Sequence, residues 1–254
     1  MRLYCFPHAS AGVSGFARWT EQVGPDVRPV PVLLPGRDGR RREPRLTTRR
    51  DLMAELLRRH GAPEPDRPYA LYGHSLGGLI AYTVALALER AGLPAPALVA
   101  VGACEPPDVP SALAARADAP EAELVATLRR LGAVPEGAPD GGIWRRAVLP
   151  VFRDDLRLAH TLRQSLAGPG RRPLRAPLLL VSGAGDPLAG PATMAGWGRF
   201  GAGPVVHRTL PGDHFFVRQP ALPRLLGRAC RVVRRLDTPP LRPTGGRTLV
   251  EDSR

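Results

Sequence analysis

A chain of 254 residues, 43% of them hydrophobic, has enough apolar surface for one sizeable core, and its net charge of +13 raises nucleic acid, membrane surfaces and acidic proteins as partners. The charge has a plainer source: there is no Lys or Asn and only two Ile, against an excess of Arg, Ala, Gly and Pro, the composition of a GC-rich coding sequence. The clusters Arg40-Arg41-Arg42 and Arg49-Arg50 lack the interleaved aromatics of a nucleic-acid groove, and no run approaches the roughly 18 to 20 apolar residues of a membrane span, which sets both partners aside.

Met1 to Gly12 carries no signal-peptide core, so the expected location is the cytoplasm. The first element is the short apolar run Arg2 to Phe6, ended by Pro7. The second is Pro29 to Leu34, ended by Pro35-Gly36, and both read as buried strands. Between Thr48 and His60, Leu52, Met53, Leu56 and Leu57 recur at helical spacing behind Asp51 in the opening turn. Tyr69 to Tyr72 reads as a strand, Leu76 to Ala91 as a helix of small and apolar residues closed by Gly92, and Ala97 to Ala103 as another strand.

From Cys104 to Arg175 the pattern changes to helices at Glu121 to Leu131 and Trp144 to Leu166, separated by Pro- and Gly-rich breaks. An insertion of this kind, outside the sheet, reads as a lid. Pro177 to Ser182 and Val205 to Leu210 return to strands. The alternation predicts an α/β fold, a mostly parallel sheet with helices on both faces. Residues 1–236 are expected to form one domain with a lid at about 104–175, and 237–254, rich in Pro, Gly and Arg, a mobile tail. Cys5, Cys104 and Cys230 are odd in number and form no CxxC pair, which predicts free thiols rather than disulfides or a zinc site.

Gly73-His74-Ser75-Leu76-Gly77 matches G-x-S-x-G, the sharp strand-to-helix turn that lifts a nucleophilic Ser hydroxyl out of the backbone. The pattern alone is weak; its place between the strand at Tyr69 and the helix from Leu76 makes it specific. A Ser hydroxyl needs a base to take its proton, and that base needs a carboxylate to fix its tautomer. Chain order in such folds is Ser, acid, His. His214, in the turn-forming stretch after Val205 to Leu210, is the base candidate, and His207 falls inside that strand. Asp186, after Leu178 to Gly185, is the acid candidate. Asp213 is its rival, but adjacent side chains rarely meet at Nδ1 with good geometry. His8 and His74 are expected to be structural or substrate-lining, and His60 and His160, on helical segments, to be surface or packing residues. The oxyanion of a tetrahedral intermediate needs two donors, assigned to the backbone N–H groups of Leu76 and Ala9.

These motifs coincide with a family. The chain resembles the type II thioesterases that accompany modular polyketide synthases and non-ribosomal peptide synthetases, in Phe6-Pro7-His8-Ala9, Leu34-Pro35-Gly36-Arg37-Asp38, Tyr72 to Gly78, Arg153-Asp154-Asp155, Gly183 to Asp186 and Pro211 to Phe216, in the family's order. The resemblance implies an α/β-hydrolase fold and hydrolysis of acyl groups from the phosphopantetheine thiol of carrier domains. It also implies Ser75 as nucleophile, His214 as base and then acid, Asp186 as its orienting carboxylate, and no metal or organic cofactor; the sequence leaves the oligomeric state open, with a monomer as the default expectation. Acidic carrier domains would be the partners of the basic surface. Two departures stand out. Ser10-Ala11 replaces the family's usual Gly-Gly, which predicts an altered oxyanion loop, and Ala103-Cys104-Glu105-Pro106-Pro107 stands where a basic Arg-Ala-Pro sequence is usual. The chain also starts almost at the first motif, without the usual short leader. The alternatives are a general carboxylester hydrolase or acyltransferase, and a catalytically weak carrier-binding protein.

Overall fold

The computed structural model describes residues 1–134, 142–168 and 172–237. Six strands, β1 (Arg2–Phe6), β2 (Arg28–Pro31), β3 (Tyr69–His74), β4 (Leu98–Gly102), β5 (Leu178–Gly183) and β6 (Val205–Leu210), form one sheet in the order β2-β1-β3-β4-β5-β6, and every neighbouring pair is parallel. The helices are α1 (Trp19–Gln22), α2 (Arg49–His60), α3 (Leu76–Arg90), α4 (Glu121–Arg130), α5 (Ile143–Ala167), α6 (Pro191–Ala195) and α7 (Ala221–Asp237).

Residues in β3, β4 and β5 are buried throughout, so these strands read as continuous apolar runs rather than alternating ones. Their side chains still alternate between faces. Leu71, Val99, Val101 and Leu180 pack into a cluster with residues of α2, α3 and α6, while Ala70, Tyr72, Ala100 and Val181 pack with Trp19 and with Leu222, Leu226 and Cys230 of α7. The edge strand β2 ends at Pro31, short of the expected Leu34. Pro29 and Pro31 have no N–H to give a ladder, and after Val32 N–H donates to the Cys5 carbonyl at 2.9 Å the chain leaves the sheet, with Val32 and Leu34 still buried. Helix α2 begins where expected, because Thr48 Oγ1 accepts the Asp51 N–H at 3.1 Å and caps its first turn.

The strand order reverses between β1 and β3. The connection leaving β1 carries α1 onto one face and reaches β2, whereas the one leaving β3 carries α3 onto the other face and reaches β4. A crevice opens at the carboxyl ends of two such strands, and it is where ligands of open parallel sheets bind. Here it lies between Phe6-Pro7-His8-Ala9 and Ser75.

The 104–175 insertion divides into two parts. Leu124 and Leu128 of α4 pack with Leu149, Phe152 and Leu156 of α5 in a small cluster of their own. Farther along α5, Leu158, Ala159, Leu162 and Leu166 belong to the main core beside α3. Pro150, within α5, removes one helical hydrogen bond on the small-cluster side. The second half of the insertion is therefore part of the core that supports the sheet. The expected tail falls outside the described residues from 238 on.

Cys5, Cys104 and Cys230 are unpaired and buried, and burial pushes the thiols of Cys104 and Cys230 up to about 12 and that of Cys5 higher still. Among the described residues no helix is long and apolar enough to cross a membrane.

Candidate active site

Ser75 sits between β3 and α3 with φ 54° and ψ −117°, a conformation that L-residues rarely hold. Its N–H donates to the Gly102 carbonyl at 2.8 Å and its carbonyl accepts the Gly78 N–H at 2.8 Å. The flanking glycines are required by contact. A Cβ on Gly73 would stand 1.8 Å from the Gly77 oxygen, and one on Gly77 would stand 2.1 Å from the Phe6 oxygen. The elbow is therefore packed directly against the end of β1, and the loop that follows β1 is held beside it.

Asp186 and His214 are brought in by the loops after β5 and β6. His214 Nδ1–H donates to Asp186 Oδ2 at 2.9 Å and lies 3.1 Å from Oδ1. Asp186 Oδ1 also accepts the N–H groups of Leu188 at 2.9 Å and Ala189 at 3.0 Å. Burial opposes ionisation of Asp186, but the His214 hydrogen bond and attraction together with the two amides outweigh it and hold the carboxyl below its usual range. An ionised Asp186 keeps the proton on Nδ1 and leaves Nε2 free to accept one. Asp213, the rival acid, accepts the Phe215 N–H at 2.8 Å instead, an Asx turn.

Ser75 and His214 line one cavity of about 40 Å³ with Leu156, Ala159 and Leu188. Ser75 Oγ makes no hydrogen bond to a described residue. A larger cavity, about 430 Å³, lies under α2 among Tyr4, Met53, His60 and Tyr69, but none of Ser75, Asp186 and His214 reaches it, so volume alone does not mark the site.

Three histidine rings crowd here, with His74 centred 5.9 Å from His8 and 5.7 Å from His214. Burial, reinforced by the neighbouring cations and imidazoles, lowers His8 to about 3 and His74 well below its ordinary value, so both are neutral at pH 7. His74 Nε2–H donates to the backbone carbonyl of His214 at 2.7 Å, and its Nδ1 accepts the Tyr72 hydroxyl at 2.7 Å. His74 thus anchors the loop that carries His214, a task with no local signal in the sequence. Among the described residues no group of three His, Cys, Asp or Glu is placed to hold a metal ion. His207 Nε2 lies 3.0 Å from Ser182 Oγ, away from this cluster, and His60 stacks edge-on against Tyr4.

The loop after β1 forms a turn closed by Ala11 N–H to the His8 carbonyl at 3.1 Å. The N–H groups of Ala9 and Leu76 have no acceptor among the described residues. Ser10 takes φ 65°, the left-handed region that favours glycine, so at the Ser10-Ala11 departure a residue with a side chain occupies a strained backbone position. Ser10→Gly is expected to raise stability by about 0.5–1 kcal/mol, read as a higher urea midpoint.

Sequence reasoning also gave no role to Arg37 and Asp155, though both stood in family motifs. They form a buried bidentate ion pair, with Nη2 to Oδ1 at 2.7 Å and Nη1 to Oδ2 at 3.0 Å. At the other departure, Glu105 is paired with Arg163 of α5 at 3.1 Å, and Arg163 also donates to the carbonyls of Pro106 and Val109, so the segment after β4 is tied to α5.

A family model described as "Thioesterase domain" matches residues 1–230. Thioesterase PikA5 of Streptomyces venezuelae is 33% identical over 221 residues, covering 85% of this chain and 75% of that relative. Among solved structures, RedJ, a thioesterase from the prodiginine biosynthetic pathway in Streptomyces coelicolor, superposes with a TM-score of 0.79 at 34% identity, covering 90% of this chain and 89% of RedJ. The type II thioesterase BorB from the borrelidin biosynthetic cluster gives 0.75 at 29% identity, covering 91% and 92%. The fold is that of the α/β-hydrolases.

Proposed function

Because the chain belongs to the thioesterase domain family, we propose that it is a type II thioesterase that removes acyl groups from phosphopantetheine-bearing carrier domains of a polyketide or non-ribosomal peptide assembly line. The observation that carries the reading is the Asp186-oriented imidazole of His214 sharing one small cavity with the strained Ser75 elbow.

In this reading Ser75 Oγ attacks the thioester carbonyl while His214 Nε2 takes its proton, and the oxyanion forms against the amides of Ala9 and Leu76. Collapse expels the thiol, which takes the proton from the imidazole, and leaves an acyl ester on Ser75. Water then repeats the sequence and releases the acid. His8 and His74 stay neutral, so the positive charge that develops is confined to His214 beside Asp186. Residues 1–236 make up the catalytic domain. The small cluster of α4 and the start of α5 gates the acyl cavity, and the enzyme acts as a cytoplasmic monomer without cofactor.

The cavity of about 40 Å³ holds on the order of three waters, room for a short acyl group. The test is release of acetyl, propionyl and octanoyl groups from a phosphopantetheinylated carrier domain, beside a p-nitrophenyl ester. Faster release of the short groups, a clear preference for the carrier thioester and a falling kcat/KM with added salt are expected. Turnover of the ester alone would make the protein a general hydrolase, and turnover of neither a carrier-binding protein.

A further inference from the structure

The buried Arg37–Asp155 pair lies 118 residues apart in sequence and grips the loop after β1 at the two positions where this chain departs from glycine. Asp155 Oδ2 accepts the Ser10 N–H at 2.7 Å, and Arg37 Nη1 donates to the Ala11 carbonyl at 3.2 Å. Asp155 is 1% exposed and Arg37 6%, so the side-chain end of each contact is shielded from bulk water.

We propose that Arg37 and Asp155 are positioning residues for the oxyanion loop, through which helix α5 holds the Ala9 amide in its working place. The inference rests on the functional reading above. Asp155 stands between Phe152, which packs with α4, and Leu158, which packs in the main core, so it sits where α5 joins the two. Ala9 packs against both clusters. A residue with a side chain does not stay at φ 65° unaided, and a carboxylate accepting the Ser10 N–H is a charge-assisted bond that fixes the peptide joining Ala9 to Ser10. The plane so fixed directly follows the one that carries the Ala9 N–H, which limits rotation about Ala9 that would turn this donor away, and Arg37 keeps the carboxylate aimed while bracing the Ala11 carbonyl.

Arg37→Met with Asp155→Leu tests this, because replacing both partners by apolar groups leaves no orphaned charge and such exchanges commonly fold. The double variant is expected to lose about 30-fold or more in kcat on propionyl-N-acetylcysteamine, with KM within about threefold, since a displaced oxyanion donor acts only in the transition state. Propylboronic acid, which becomes tetrahedral on Ser75, should lose affinity by a similar factor. Adding Ser10→Gly, which reaches positive φ without help, should recover part of both losses. A folded double variant with wild-type kcat overturns the inference, as does a lost kcat with boronate affinity unchanged. Absence of Ser75-dependent turnover in the wild type overturns the functional reading and this inference together, whereas turnover indifferent to the pair overturns the inference alone.

Discussion

Ser75→Ala is expected to lower propionyl thioester hydrolysis by about 10⁴-fold or more while the protein stays folded. The two backbone hydrogen bonds that hold the elbow, to Gly102 and from Gly78, do not involve the side chain and survive the change. Ser75 Oγ has no hydrogen-bond partner among the described residues, so its removal strands no buried group, and the melting temperature should move little. What is lost is the atom that, in the proposed mechanism, forms the acyl ester. Single-turnover hydrolysis with a thermal melt reads both quantities. Residual activity above about one part in a hundred would point to a different nucleophile or to solvent-level hydrolysis assisted elsewhere.

Asp186→Asn is expected to cost about 10⁴-fold in kcat for a different reason. The Asn carbonyl can go on accepting the amides of Leu188 and Ala189, so the loop after β5 keeps its shape. Its NH₂ then faces His214 Nδ1 and donates to it, which reverses the tautomer and puts the ring proton on Nε2, where a base is needed. Steady-state kinetics should show the fall in kcat with a small change in KM. Asp213→Asn serves as the control, because its side chain accepts only the Phe215 N–H here, and it should remain within a few-fold of wild type. Equal losses in the two variants would withdraw Asp186 from the role assigned to it.

Much of this arrangement was legible in the chain because its signals are local. The central strands are short apolar runs between turn residues, and the elbow needs Gly on both sides of a Ser within five residues. Helix α7 carries a weaker signal: Leu222, Leu226 and Cys230 recur four apart and are fully buried, with Pro223 in the first turn where a missing N–H is harmless, but the arginines between them mask that spacing. The lid was half legible. Helical periodicity marks α4 and α5 but does not say which half of α5 a neighbouring helix covers. Least legible were contacts set by topology alone. Nothing near Arg37 announces Asp155, and nothing near His74 announces the carbonyl of His214; these pairs meet because the strand order brings their loops to one end of the sheet.

The three buried cysteines carry a practical consequence. With Cys5 and Cys230 in the face of the sheet that packs α7 and Cys104 in the opposite cluster beside Ser75, the molecule contains its own reporters of breathing. Thiols so far from ionising are silent to alkylating reagents while their surroundings stay closed. The order in which they become labelled therefore separates a loosening of the catalytic cleft from an excursion of the C-terminal helix, with no probe added to the chain.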